Sequence, residues 1–171
     1  MPAEQHPQLP NVIEMQDNQQ ADVVALVEAA MNAEEAKWAQ QTFRFHFACC
    51  KQGIDSTRKF YVARIEDVIV GVAGLHRYRW GPDENVWLSW FAVAPDYQGR
   101  GIGKYLLKSV CDVAREQGYK KIFIETYQQT TFERAIEFYQ RQGFRQVGSV
   151  EQFMPDSSDM LVYMLALDAA V

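Results

Sequence analysis

The segment Gln98-Gly99-Arg100-Gly101-Ile102-Gly103-Lys104 joins an apolar run that ends at Val93 to an amphipathic run that begins near Lys104. Its three glycines let the backbone turn tightly, with no Cβ atom shielding the N–H groups. A helix entry usually recruits Ser, Thr, Asp or Asn to accept hydrogen bonds from its first N–H groups. None lies in this segment, and uncapped amides beside Arg100 and Lys104 would form an anion site. We therefore expect a phosphorylated ligand, or else water, to cap the helix that follows.

Two familiar nucleotide-binding motifs do not fit the segment. A dinucleotide fingerprint, G-x-G-x-x-G, would need a glycine where the chain has Lys104. A P-loop would need a glycine at position 98 and Ser or Thr after the lysine, but the chain has Gln98 and Tyr105. The spacing thus excludes both motifs.

Composition indicates a globular protein. The 171 residues suffice for one domain, and 48% of them are hydrophobic. A net charge of −5 argues against nucleic acid or an anionic membrane as the partner. The three cysteines form no metal-ligand pattern, so we expect no metal, and their odd number favours a reducing cytosol. No apolar run approaches the ~20 residues that span a bilayer. We expect a cytoplasmic protein with a loose tail, residues 1–11, and a single domain, residues 12–171.

Periodicity and turn signals predict a mixed α/β (α+β) protein. Strands are expected at residues 12–15, 60–65, 68–78, 86–93, 121–126, 144–150 and 160–167. Helices are expected at residues 22–31 and 34–51, after the glycine segment up to Gly118, and up to Gly143. Strand 86–93 is mostly apolar, so we expect both of its faces to be buried. Thr130 and Glu133 match a capping box at the start of the last helix.

Three motifs follow one another along the chain: Val93-x-Pro95, Gln98-x-x-Gly101-x-Gly103 and Ala135-x-x-Phe138-Tyr139-x-x-x-Gly143-Phe144. Together they resemble the GNAT superfamily of acetyl-CoA-dependent N-acetyltransferases, over about residues 12–167 and most strongly over residues 87–144. The resemblance implies a mixed, mostly antiparallel central sheet flanked by helices. It also implies that the strand ending at Val93 and the strand 122–126 splay apart and admit the pantetheine arm.

The resemblance assigns acetyl-CoA as cofactor. Backbone amides of the glycine segment would bind the pyrophosphate, through Gln98, Gly99, Arg100, Gly101, Ile102, Gly103 and Lys104. The Val93 N–H would donate to the thioester oxyanion, with Phe91 and Ala92 alongside, and such a donor contributes ~3–4 kcal/mol in the transition state. The last helix would add Phe132, Ala135 and Phe138. The family commonly has Asn where this chain has Phe132, so apolar packing would replace one polar contact.

Tyr139 occupies the family's usual general-acid position. Its phenol, with an ordinary pKa of ~10, can protonate the departing thiolate. The alternative is that Tyr139 packs beneath the cofactor with its hydroxyl hydrogen-bonded. The general base stays open, because Ser89 stands where many relatives have Glu. A water held by Ser89, the carboxylates of Glu84 or Glu125, and bulk water are the alternatives.

The expected acceptor is a primary amine, favoured here as a small molecule. Trp38, Phe43 and Trp80 are candidates for its pocket, together with Ser89 and Glu125, since aromatic rings hold apolar or cationic amines. Core packing is the alternative for each aromatic residue. Two other functions stay open: acetylation of a protein or peptide amine, and a non-catalytic acyl-CoA-binding module. Relatives are often dimers, so the resemblance suggests a homodimer.

Overall fold

A computed structural model describes residues 9–167 of the chain. The predicted tail falls mainly on residues 1–8, which lie outside the described residues. Seven strands and four helices follow in the order β1 (Asn11–Glu14), α1 (Gln20–Ala30), α2 (Ala33–Lys51), β2 (Arg58–Ile65), β3 (Val68–His76), β4 (Asn85–Val93), α3 (Ile102–Glu116), β5 (Lys121–Tyr127), α4 (Glu133–Arg141), β6 (Arg145–Val150) and β7 (Met160–Ala166). The predicted mixed α/β class is confirmed.

The seven strands form one sheet in the order β1-β2-β3-β4-β5-β7-β6. β1 and β2 are antiparallel, as are β5 and β7, and β6 and β7. β4 and β5 are parallel, because α3 connects them as a crossover. Their register runs from Asn85↔Lys121 to Leu88↔Ile124, halfway along β4. The sheet is therefore mixed and mostly antiparallel, as the resemblance implies.

Contacts within the chain define two compact units. The first unit contains the described part of Met1–Gly74 together with Trp90–Val110, and the second contains Leu75–Ser89 and the described part of Cys111–Val171. Both β4 and α3 contribute residues to each unit. The single domain at residues 12–171 stays a prediction.

The core of the first unit lies between α1, α2 and strands β1–β3. Buried side chains from these elements form one cluster, which includes Val23, Val27, Phe43, Phe47, Phe60, Val62 and Val72. Phe43 and Phe60 meet edge to face, with ring centroids 4.8 Å apart. Gly71 permits a close approach in this unit, because a Cβ atom there would lie 3.1 Å from the Leu106 side chain and 3.3 Å from the Ala92 carbonyl oxygen.

In the second unit, the sheet is buried on one face and partly open on the other. On β5, Ile122, Ile124 and Thr126 are buried, whereas Phe123 and Tyr127 are partly exposed. β4 follows the same alternation, because Val86 and Leu88 are buried and the residues beside them are not. The prediction that β4 is buried on both faces was wrong. A strand with an apolar sequence can still leave one face open for a ligand.

Two further local findings concern the helices. The predicted capping box is wrong, because residues Thr130–Phe132 form a 3₁₀ turn, α4 begins at Glu133, and neither start has a side-chain cap. Among the helices of residues 9–167, none combines the length and apolarity needed to cross a membrane.

Candidate active site

The glycine segment is a sharp turn that leads into α3. Gly99 and Gly101 adopt positive φ angles of 74° and 82°, which L-residues with side chains rarely tolerate. A Cβ atom built at either position would meet no atom within 4 Å, so the turn faces open space. The glycines thus serve backbone conformation, and the sequence prediction of a tight strand–helix turn is confirmed.

The first amides of α3 have no intrahelical acceptor. The helical i→i−4 bonds begin with the bond from the Tyr105 N–H to the Gly101 carbonyl oxygen, at 3.0 Å. The N–H groups of Ile102, Gly103 and Lys104 precede it and, as in any α-helix, are available to a ligand. Ile102 is buried, so its side chain anchors the turn. An anion at this end would meet both amide dipoles and the helix dipole.

Side chains brace the turn against the end of β4. Gln98 donates a hydrogen bond from Nε2 to the Val93 carbonyl oxygen, at 2.9 Å. The Arg100 guanidinium lies 5.4 Å from the centre of the Tyr97 ring, a distance suited to cation–π attraction. Gln98 and Arg100 were predicted as cofactor-binding residues, but neither of these two side-chain contacts was predicted. Gln98 therefore fixes the turn relative to Val93, and Arg100 adds positive charge beside it.

The end of β4 is irregular. Trp90 has a φ of +49°, an unusual value within a strand, and its ring packs against the core cluster of the first unit. Ala92 is buried in that same cluster, so it can contact a ligand only through its backbone. Phe91 and Val93 are partly exposed. A distorted strand end is a common feature beside binding sites, since it re-aims the backbone groups that follow.

Tyr139 is placed by the way α4 ends. Gly143, with a φ of +92°, donates from its N–H to the Gln140 carbonyl oxygen at 3.0 Å, and the Phe144 N–H donates to the Tyr139 carbonyl oxygen at 3.0 Å. This pair of bonds is a Schellman motif, which usually brings the flanking side chains into contact. The Tyr139 and Phe144 rings are accordingly 5.7 Å apart. The spacing Tyr-x-x-x-Gly-Phe therefore places the Tyr139 ring against Phe144 at the end of α4.

Burial governs the acidity of Tyr139. The residue is 5% exposed, and this burial raises the pKa of its phenol well above the ordinary value. The phenol is therefore protonated at physiological pH, which a proton donor requires. Of the other predicted cofactor contacts nearby, Phe132 lies in the 3₁₀ turn before α4, is buried and has its ring 5.6 Å from that of Tyr127. Ala135 and Phe138, on α4, are partly exposed.

The predicted acceptor aromatics occupy different environments. Phe43 is fully buried in the core of the first unit, which argues against a pocket role, because no ligand reaches a ring that is covered by side chains. Trp38 is partly exposed on α2. Trp80 lies in the second unit and is 85% exposed, with its ring 6.0 Å from that of Tyr78. The alternative of core packing therefore holds for Phe43.

The candidate bases also differ. Glu84 accepts a hydrogen bond from Lys121 Nζ at 3.1 Å and has Lys120 Nζ at 3.6 Å. The hydrogen bond from Lys121, followed by the charges of both lysines, lowers the pKa of Glu84, so this carboxylate is a weaker base than an ordinary one. Glu125 is exposed on β5.

Ser89 has an unsatisfied hydroxyl. Its Oγ is buried and has no hydrogen-bond partner among the residues that the structure describes. A buried hydroxyl left unpaired costs about 1–3 kcal/mol, so a water or ligand is expected to bind it. The position was predicted from the family pattern, but its missing partner could not be read from the sequence.

A row of aromatic side chains in the second unit was not predicted from the sequence. Trp87 and Phe123 are register partners on β4 and β5 and stack with centroids 5.1 Å apart, and His76 stacks on the other side of Trp87 at 6.3 Å. Trp87 and Ser89 are two residues apart on β4 and therefore lie on the same side of the strand. Strand alternation in the sequence does not show which residue of another strand lies next to Trp87. The parallel pairing of β4 with β5, which places Phe123 there, is seen only in the structure.

The sequence matches a known protein family and several curated relatives. Residues 23–144 match the model of the acetyltransferase (GNAT) family. A mouse protein named probable N-acetyltransferase family 8 member 5 is 30% identical over 125 residues, which cover 67% of this chain and 54% of that protein. The chain spans about half or less of the length of the curated relatives that it matches.

Solved structures agree. A GNAT-family protein from Desulfovibrio desulfuricans superimposes with a TM-score of 0.82 at 25% identity, over 92% of this chain and 99% of that one. A Salmonella typhimurium protein, solved with its cofactor acetyl-CoA, has the same fold, with a TM-score of 0.72 at 19% identity over 96% of this chain and 97% of that one. The fold is that of an acetyltransferase, and the chain belongs to the GNAT acetyltransferase family.

Proposed function

We propose that the chain is an acetyl-CoA-dependent N-acetyltransferase that acetylates a primary amine, favoured here as a small molecule. The observation that carries the proposal is the open glycine turn at the start of α3, in a chain that belongs to the GNAT family. The acetyl-CoA in a solved protein of the same fold supports the choice of cofactor.

The turn supplies the cofactor site of the first unit. Amides of residues 99–104 donate to the pyrophosphate, because the Gln98 N–H already donates to the Pro95 carbonyl oxygen at 3.2 Å. The positive φ angles of Gly99 and Gly101 let the backbone approach the phosphates. Arg100 and Lys104, both exposed, add positive charge for the phosphates. The Gln98 side chain donates to the Val93 carbonyl oxygen, which holds this turn beside the residue that we assign to the oxyanion. The family resemblance adds apolar cofactor contacts from Phe132, before α4, and from Ala135 and Phe138 on α4.

Acetyl transfer from a thioester to an amine has three chemical requirements. The amine must lose a proton, the tetrahedral oxyanion must be stabilised, and the thiolate must receive a proton. We assign the oxyanion to the backbone N–H of Val93 and the proton donor to the Tyr139 phenol. The amine nitrogen bonds to the thioester carbon, the C–S bond breaks, and coenzyme A leaves as the thiol.

We assign the role of proton acceptor from the amine to a water molecule. The unpaired Ser89 hydroxyl is suited to hold one water molecule, which passes the proton to solvent. Glu84 is the weaker candidate because its lysine contacts lower its pKa. Glu125 is exposed and would act only where the acceptor comes within hydrogen-bonding distance.

The test is the release of free coenzyme A thiol when the protein is mixed with acetyl-CoA and a panel of amines and peptides. The proposal predicts thiol release that depends on the amine and rises with protein concentration. Thermal stabilisation by acetyl-CoA without thiol release for any acceptor would instead identify a non-catalytic acyl-CoA-binding module. Release with peptides alone would move the acceptor from small molecules to proteins.

A further inference from the structure

One face of the sheet in the second unit is partly exposed and largely apolar. We call it the open face and define it by Trp87, Ser89, Phe123, Glu125, Val162 and Met164. Phe123 is the register partner of Met164, and Glu125 that of Val162, so these residues share one side of β5 and β7. The residues between them, such as Ile124 and Tyr163, are buried on the opposite side. The solvent-facing side of a sheet normally carries polar residues, so this largely apolar face indicates a ligand.

The open face offers flat aromatic surface. Trp87, Phe123 and Met164 stand at matched register positions on three strands and form a continuous row. The Trp87 and Phe123 rings stack 5.1 Å apart with an interplanar angle of 28°, and both residues are only partly exposed. Stacked rings and a methionine side chain are surfaces that bind another aromatic ring well. The row is therefore suited to a flat apolar group.

Polar groups at the open face favour an amine. The Ser89 hydroxyl, two residues along β4 from Trp87, is buried without a hydrogen-bond partner among the described residues. It can accept a hydrogen bond from an ammonium or amine N–H. Glu125 places an exposed carboxylate at the same face, on the neighbouring strand.

An acidic loop borders the open face. The Phe153 ring, in the loop between β6 and β7, stacks on Tyr127 of β5 with centroids 6.1 Å apart and an interplanar angle of 12°. Residues 151–159 contain three acidic side chains and no basic one. Hydrogen bonds from Ser158 lower the pKa of Asp156, which is therefore charged at neutral pH. A cation is favoured beside this loop over a neutral or anionic ligand.

We propose that the acceptor is a primary arylalkylamine, with its ring on the Trp87–Phe123 row and its ammonium group toward Ser89 and Glu125. This inference rests on the proposed transferase function. In the reaction the ammonium first loses one proton to water, and the nitrogen loses a second as it bonds to the acetyl carbon. The thiolate released from the broken C–S bond takes up one proton. The product amide is neutral and loses its attraction to the acidic loop, which favours its release.

The wild-type protein supplies the first test. With acetyl-CoA saturating, kcat/KM is measured for 2-phenylethylamine and n-propylamine, with thiol release as the readout. Burial of the ring predicts a kcat/KM for 2-phenylethylamine at least about tenfold higher. Equal kcat/KM values for the two amines, or acetylation of peptides alone, would overturn this inference without contradicting the proposed transferase function. No thiol release with any acceptor would contradict the transferase function itself.

Matched variants locate the ring. Phe123→Leu should raise KM for 2-phenylethylamine about fivefold or more and leave KM for n-propylamine unchanged, because only the aryl group contacts the row. Phe45→Leu removes an aromatic ring that is 57% exposed on α2 and should change neither value. Thermal unfolding confirms that both variants are folded. If Phe123→Leu changes KM for both amines equally, or for neither, the row is not the ring site.

Discussion

Tyr139 shows how one residue depends on a local backbone motif. Its carbonyl oxygen closes the Schellman motif at Gly143 and Phe144, and its ring lies against Phe144. The same motif sets both the helix end and the place of the ring, whereas the acid role of Tyr139 comes from the family resemblance and stays a prediction. Its burial, which raises the pKa of the phenol, became visible only in the structure.

Tyr139→Phe tests the acid. Removing the hydroxyl should lower kcat by about tenfold or more, because an acid catalyst contributes that much or above. The dissociation constant of acetyl-CoA, measured by calorimetry, should change little. Since burial raises the pKa of Tyr139 above ~10, the wild-type kcat should show no decline from this group below about pH 10. An unchanged kcat in the variant would remove Tyr139 from the mechanism.

His46 makes a prediction about stability. Its Nδ1 lies 2.6 Å from Ser56 Oγ, and burial lowers the pKa of the imidazole. Below about pH 6.5 the unfolded chain therefore binds a proton that the folded chain excludes, and the free energy of unfolding falls as the pH falls. Urea unfolding between pH 5 and pH 7.5 measures this slope. His46→Gln, which keeps a hydrogen-bonding side chain, should reduce it, and an identical slope in the variant would contradict the assignment.

Burial separates residues that look alike in the sequence. Phe43 and Trp80 are both aromatic candidates for the acceptor site, yet one is fully buried and the other is 85% exposed. Glu84 and Glu125 are both candidate carboxylates, but Glu84 contacts Lys120 and Lys121, which lower its pKa, whereas Glu125 is exposed on β5. These differences arise from contacts between distant segments, which residue type and spacing do not encode.

Among the elements, the turn before α3 carries the cofactor hypothesis. Gly103 lies inside α3 and is partly exposed, so it accepts a side chain more readily than Gly101, whose φ is +82°. Gly103→Glu should weaken acetyl-CoA binding at least about tenfold, because it brings negative charge to the pyrophosphate amides. Calorimetric titration measures the effect.

Gly103→Ala is the matched control. It adds a methyl group without charge and improves helix propensity by about 1 kcal/mol, so the thermal midpoint should not fall. If the glutamate variant binds acetyl-CoA as tightly as the alanine variant, the pyrophosphate does not lie at this turn.

Most elements were predictable because their periodicity is strong. β2 and β4 begin within two residues of their predicted starts, as does α2. The start of α4 was missed because the Thr130 and Glu133 spacing fits a capping box, whereas the chain forms a 3₁₀ turn there. The positive φ of Trp90 has no signal in the sequence, since glycine or asparagine is the usual residue in that conformation. Such strand distortions follow from tertiary packing.

At the scale of the molecule, the core and the ligand sites should respond independently. Phe43→Leu removes an edge-to-face contact with Phe60 inside the core of the first unit and should cost about 1–2 kcal/mol of unfolding free energy. Its KM values for acetyl-CoA and amine should match those of the wild type below the unfolding transition. A selective rise in KM for the amine would return Phe43 to the acceptor site.

The sheet illustrates what a family pattern adds. Strand periodicity predicted strands, but their order, with β7 between β5 and β6, depends on long-range pairing that no local signal encodes. The resemblance implied a mixed, mostly antiparallel sheet, and the structure confirms it. The homodimer and the splay of β4 from β5 stay predictions.

The transfer of an acetyl group to an amine nitrogen is the central claim, and the product itself tests it most directly. The protein is incubated with acetyl-CoA carrying an isotopically labelled acetyl group and with 2-phenylethylamine, and the products are identified by mass spectrometry. The account predicts labelled N-acetyl amide in amounts that equal the coenzyme A thiol released. Label recovered only as free acetate, or acetyl-CoA left unconsumed with every amine tried, would contradict it.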